Sequence, residues 1–366
     1  MSDSTSISPA RSKWRWILFV LLTLTASLAA LVLWFGDFTF TRRDPLFHGK
    51  PESEWIKNVK YQDDEQIKEW RAYKEDGVRV LIRGLENASR PGEQAYRRLN
   101  RQLPYFIRRW LPAERPDSTR STRMCLVSLL SRLGNDARSA TPVMIRTVRN
   151  DGAIDVRQIA IGYFTSSEDE KCLLNQLPAD EKLSLLPTLI LSIQDPRNWG
   201  LRNNAAIALK YYPEKRDVVA PVLVQALQDS QPQVRLLAAE ALNRIDPEAA
   251  KQAGATAVLV VIAKHPDDQI AYRAVAALAH AGSEADLAVP ALIESLQSTN
   301  TLVGCQAVWA LEWSGERFAS YSETIIPALR TAAQRKDNVA GYARTALTRW
   351  TEKTQAKPGK VEGIQP

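Results

Sequence analysis

The 366-residue sequence predicts an all-α protein: a right-handed solenoid of stacked helical hairpins, preceded by one transmembrane helix. Three observations carry this. Beyond residue 70 the apolar residues recur at three and four, as in Val222, Leu223, Ala226 and Leu227, and almost never alternate in twos. An Ala-Leu doublet returns at Ala208-Leu209, Ala241-Leu242, Ala277-Leu278, Ala310-Leu311 and Ala346-Leu347, with spacings of 33, 36, 33 and 36 residues. Finally, Ile17 to Phe35 form a run of 19 residues without a charge.

The doublets fix the architecture. A small residue followed by a large one, repeated at so regular a period, marks one packing position in successive units that cannot bury their apolar faces alone. The pattern predicts six helix pairs: 137–149 with 154–164, 180–193 with 200–210, 217–228 with 232–243, 248–264 with 267–280, 286–297 with 301–313, and 322–334 with 338–350.

A second set of positions defines the unit. Pro142, Asp151 and Arg157 are repeated as Pro187, Asp195 and Arg202 and again as Pro221, Asp229 and Arg235. Proline bends a first helix. Aspartate suits the N-cap of the next helix, and it can pair with an arginine of its own or the neighbouring unit, giving a structural ladder. Pro290 and Pro327 persist, but the arginine positions hold Gly304 and Ala340, and 248–264 lacks the proline. These residues resemble HEAT repeats, which implies two antiparallel helices per unit with the aspartate in the tight turn.

The segment before the regular repeats departs from the pattern. Gly77–Leu85 reads as a first helix and Arg120–Leu133 as its partner, with 34 residues between them and a further helical segment over Glu93–Leu111. His48-Gly49-Lys50-Pro51-Glu52-Ser53-Glu54-Trp55-Ile56 reads as a capping helix, with Trp55, Ile56 and Val59 as its buried stripe. With the junction Leu133-Gly134-Asn135-Asp136-Ala137-Arg138-Ser139-Ala140-Thr141-Pro142, the layout is similar to a group of bacterial HEAT-repeat proteins. That group has one N-terminal membrane anchor and a Gly-Lys-Pro-x-Ser-x-Trp helix. The resemblance implies architecture and carries no activity across.

As a helix, 17–35 spans roughly 28 Å, enough for a bilayer. Trp14, Trp16, Trp34 and Phe35 stand at its edges, and Arg11, Lys13 and Arg15 flank the first. Because the apolar run continues past the small residues Ser27-Leu28-Ala29, the segment reads as a retained anchor and not a cleaved signal. The expected organisation is a cytoplasmic tail over 1–16, the anchor over 17–35, a linker and capping helix over 36–70, and a divergent first repeat over 71–136. Six repeats over 137–350 and a disordered tail over 351–366 follow. The expected location is a bacterial inner membrane, single-pass, with the bulk of the chain on the non-cytoplasmic side.

Composition excludes several classes. At 45% hydrophobic residues the chain is too apolar to be disordered, and a net charge of +7 is mild for a nucleic-acid binder. Cys125, Cys172 and Cys305, like His48, His265 and His280, are scattered without metal-ligand spacing, so no metal or cofactor is expected. Buried, inert thiols are the expectation at Cys125 and Cys305, although an outward-facing domain could close one disulfide. Residues 97–149 hold 12 Lys and Arg against three acids, whereas 151–366 hold 22 against 25. Arg97, Arg98, Arg101, Arg108 and Arg109, interleaved with Tyr96, Tyr105, Phe106 and Trp110, form a candidate anionic surface. It suits lipid headgroups or, less readily, nucleic acid, unless its arginines pair with acids such as Asp63, Asp64 and Glu65.

No phosphate loop, His-Glu-x-x-His or nucleophile elbow is present. The functional expectation is therefore a non-catalytic, membrane-anchored scaffold that binds a partner protein through the concave surface of its second helices. The alternative is a HEAT-like enzyme of DNA glycosylase or lyase type, for which Trp199, Trp309 and Trp313 would supply aromatic contacts. A membrane tether and the net acidic charge of the repeats that bear them oppose it.

Overall fold

The computed structural model describes residues 44–89, 120–165, 172–281, 284–315 and 317–355. The anchor over 17–35, the five arginines of the 93–111 segment and the tail beyond 355 lie outside these residues. Among the described residues no helix is long and apolar enough to cross a membrane. The chain divides after Met144 into two compact units.

The first unit opens on a small ribbon, β1 (Leu46–Phe47) paired antiparallel with β2 (Lys50–Pro51), an exception to the all-helical expectation. His48 and Gly49 turn it, both with positive φ, as a two-residue hairpin turn requires. Helices α1 (Glu52–Lys57), α2 (Asp64–Ala72), α3 (Lys74–Ala88) and α4 (Arg120–Leu133) follow, then a 3-10 segment over Gly134–Ala140. Ile56 and Val59 are buried as expected, but Trp55 is only half-buried. Its indole nitrogen donates to the Phe47 carbonyl at 2.8 Å, and its ring joins those of Phe47, Trp70 and Tyr73. This aromatic knot closes the start of the unit.

The second unit continues from α5 (Thr141–Asn150), which begins before the division, through α6 (Ile154–Thr165) and α7 (Leu173–Gln176). Hairpins α8–α9 (Ala179–Ile193, Trp199–Leu209) and α10–α11 (Arg216–Ala226, Pro232–Ile245) come next. Then come α12 (Pro247–Gln252) and α13 (Ala255–Ile262) with α14 (Asp268–Leu278), α15–α16 (Ala285–Ser295, Thr301–Trp313), and α17–α18 (Ser322–Ala332, Asn338–Gln355). Second helix stacks on second helix in chain order: α6 on α9, α9 on α11, α11 on α14, α14 on α16, and α16 on α18.

The doublets lie on the buried sides of these helices. Ala208, Leu209, Ala241, Leu242, Ala277, Leu278, Ala310, Leu311 and Ala346 are all buried; only Leu347, on the last helix, is half-exposed. Alanine lets the backbones approach and leucine fills the space beside it, each buried leucine contributing about 2 kcal/mol. Pro187, Pro221, Pro290 and Pro327 each sit inside a first helix. The expected helix 248–264, which lacks the proline, breaks instead at Gly254, where φ is +71°. Glycine alone takes that left-handed corner without strain, close to where the proline period would place its bend. The last helix also runs to Gln355, five residues into the expected tail, its threonine hydroxyls bonded to carbonyls of the preceding turn.

Candidate functional site

The aspartates do not cap the second helices. Asp151, Asp195 and Asp229 each accept from the amide two residues on, at 2.8 Å, and so hold the turn. The cap of α9 is Asn198 and those of α14 and α16 are Asp267 and Asn300. The expectation fails because the turn inserts residues between the aspartate and the helix start, putting the N2 and N3 amides beyond its reach.

Among the described residues, Arg202 and Asp229 form a rung between successive hairpins. Arg202 makes two bonds to Asp229 of the next hairpin, at 2.6 and 2.9 Å, and a third to the carbonyl of Asp195 in its own turn at 3.0 Å. Burial pushes the pKa of Asp229 up, but Arg202 and the Gln231 amide more than reverse this and hold the carboxyl below its usual range. Arg235 bonds its own turn, at the carbonyls of Asp229 and Ser230. Asp195 is held chiefly by Arg197, with Arg157 acting through its charge. Arg197 was not anticipated. In the last hairpins the missing arginines are replaced by Arg335, which pairs with Asp337 and reaches back to the carbonyls of Leu296 and Ser298. These contacts are structural.

The surface of the second helices changes character along the stack. In α11 and α14 it carries the ion pair Glu240–Arg273. In α16 it turns apolar: Leu302, Trp309 and Trp313 are 58%, 50% and 72% exposed, at spacings of seven and four that place them on one helix face. Tyr342 of α18, 44% exposed, meets Trp309 edge-to-face, with centroids 5.7 Å apart. Together with Glu312, Thr345, Arg349 and Trp350 these rings line an open cleft of about 690 Å³. Glu312 and Arg349 form an ion pair across it. A helix whose inner stripe is buried and whose outer stripe is also apolar exposes more than solvent would favour.

Of the residues singled out in the sequence, Trp309 and Trp313 meet in this cleft and Trp199 is not among its lining. Tyr342 and Arg349 were missed, although the doublet register sets Arg349 opposite Trp313. His265 accepts the Asp267 amide at 3.0 Å, a local turn contact. The cysteines are unpaired: Cys125 and Cys172 are buried, but Cys305 is half-exposed, contrary to expectation, because Gly304 beside it takes the inward position. Burial pushes the Cys125 and Cys305 thiols up. Asp64, one of the acids offered as partners for the five patch arginines, binds Arg132 at 2.6 Å, while the patch arginines themselves lie outside the described residues.

A family model of HEAT repeats matches residues 186–253 and 256–348. No curated protein matches the chain. Among solved structures, a mutant Kap121p has 15% identity and a TM-score of 0.51, covering 82% of this chain and 33% of its own. The Escherichia coli protein YibA has 16% identity and a TM-score of 0.41, covering 84% and 99%. Importin beta has 13% identity and a TM-score of 0.42, covering 78% and 36%. This chain thus spans about a third of the length of Kap121p, and that likeness is one of fold alone.

Proposed function

We propose that this protein is a non-catalytic HEAT-repeat scaffold that docks a partner protein on the face of its second helices. Residues 17–35 hold it in a bacterial inner membrane, and the repeats lie on the non-cytoplasmic side. One observation carries the docking reading: Trp309, Trp313 and Tyr342, largely exposed, converge on one cleft with Arg349. Tryptophan, tyrosine and arginine are the residues in which binding energy concentrates at interfaces, and a contiguous aromatic patch left open to water marks such a site. Stacked hairpins supply the rigid platform that keeps the patch in place.

Site-specific photocrosslinking in cells tests this. A crosslinking residue in place of Gln306, on the outward stripe of α16, is expected to yield a discrete protein adduct. The same residue in place of Leu191, exposed on the first helix α8, yields none. Equal adducts from both positions, or none from Gln306, would contradict it. Exposure of a C-terminal tag to protease in spheroplasts tests the orientation: cleavage is expected, and protection would reverse it.

A further inference from the structure

The doublets give every second helix the same register, so equivalent positions can be compared from hairpin to hairpin. Three residues beyond each doublet's alanine stand Tyr211, Arg244, His280, Trp313 and Arg349. The row holds aromatic and cation-forming side chains, and no acid. All but Tyr211 are exposed. The Arg244 guanidinium lies over the Tyr211 ring of the preceding hairpin at 5.4 Å, so consecutive members touch there. Arg317 reaches the same edge, donating to the Ala279 carbonyl at 3.0 Å beside His280. At the far end Trp313 and Arg349 share one cleft. From Tyr211 to Trp313 the row follows the C-terminal ends of the helices, where the backbone dipoles favour cations.

We propose that this row is a track for an acidic, extended segment of the partner protein, anchored by an apolar side chain on Trp313. The proposal rests on the docking reading above and specifies the partner's chemistry. Charge complementarity sets the sign: Arg244, Arg317 and Arg349 each present several donors that match carboxylates. Arg349 already binds Glu312, and its planar fork has donors for a second carboxylate. Geometry sets the spacing. Packed helices lie about 9 Å apart and an extended chain advances about 3.3 Å per residue, so every third residue of the segment meets a successive hairpin. The segment therefore carries acids opposite Arg244 and the Arg317 edge, with the apolar anchor three residues further on. A uniform polyanion such as nucleic acid fits less well. Glu240 and Glu312 stand in the adjoining rows, and residues 151–366 hold more acids than bases.

Fluorescence anisotropy on the full-length protein in nanodiscs provides the test. The probes are a labelled peptide with Glu, Glu and Phe at every third position of a Ser/Thr background, the same composition respaced, a Lys-for-Glu version, and a short oligothymidine. The third-position acidic peptide is expected to bind tightest, and raising salt from about 50 to about 300 mM weakens it several-fold. Arg244→Gln, which leaves the Arg317 contact to Ala279 in place, and separately Trp313→Ala, each weaken it about tenfold while the protein keeps a cooperative melting transition. Tighter binding by the Lys peptide or the oligothymidine, or indifference to spacing, would overturn the proposal. An adduct at Gln306 that the acidic peptide fails to displace also overturns the track while leaving the docking face standing. Absence of that adduct removes the docking face itself.

Discussion

The hairpins over 179–245 and those over 285–355 solve the same problem in opposite directions. In the former, Arg202 near the start of a second helix reaches forward to the aspartate of the next turn. In the latter, Arg335 in the turn reaches back to the carbonyls ending α15. The reversal follows from Gly304. A Cβ there would meet Val339 Cγ2 at 2.9 Å, so α16 and α18 pack too closely for any side chain at the forward position. The stitch between hairpins thus belongs to the stack and not to a fixed residue. At this end of the stack the second helices carry apolar surface outward.

Arg202→Ala has the largest expected effect, about 3 kcal/mol in chemical denaturation, because it leaves the Asp229 carboxylate, only 10% exposed, without its guanidinium. Arg335→Ala removes a more exposed stitch and costs about 1 kcal/mol. Equal losses would show that the two stitches are equivalent. Gly304→Ala gains about 1 kcal/mol of helix propensity and loses about 2 to overpacking, a net loss that Val339→Ala in the same chain reverses. If Gly304→Ala is neutral, the close approach does not explain the missing arginine.

Acid titration sharpens the same rung. The folded pKa of Asp229 lies below its unfolded value of about 3.9, so its contribution is complete above that pH and is lost as pH falls through the folded value. The stability gap between the natural protein and Asp229→Asn should therefore close below about pH 4 and stay constant above it. A gap that widens in acid would contradict the assignment. The smallest stability effect is expected at Trp313→Ser, under about 0.5 kcal/mol, since that ring packs against little within the chain.

Much of the fold was legible because packing repeats. The doublets, the prolines and the hairpin boundaries all follow from a period that buries the same atoms each time. The break at Gly254 was not legible, because a missing proline does not say what replaces it. Nor was Arg335, since a turn residue's reach depends on how closely the next helix approaches. The cleft was half-legible: Trp309 and Trp313 were conspicuous, but α16 carries large apolar residues on both its buried and its exposed sides, so periodicity could not separate the two. Tyr342 and Arg349 required the stacking register. The membrane anchor and the five arginines from Arg97 to Arg109 lie outside the described residues.

On the proposed docking reading, the exposed aromatic cleft holds a partner and adds little to folding. Trp309→Ala together with Trp313→Ala tests it most directly, with melting temperature and yield of the Gln306 crosslink read on the same preparation. The expected result is a melting temperature within about 2 °C of the natural protein and an adduct yield reduced about tenfold. A drop of many degrees with the adduct undiminished would show the tryptophans to be part of the packing, and the cleft not to be the docking site.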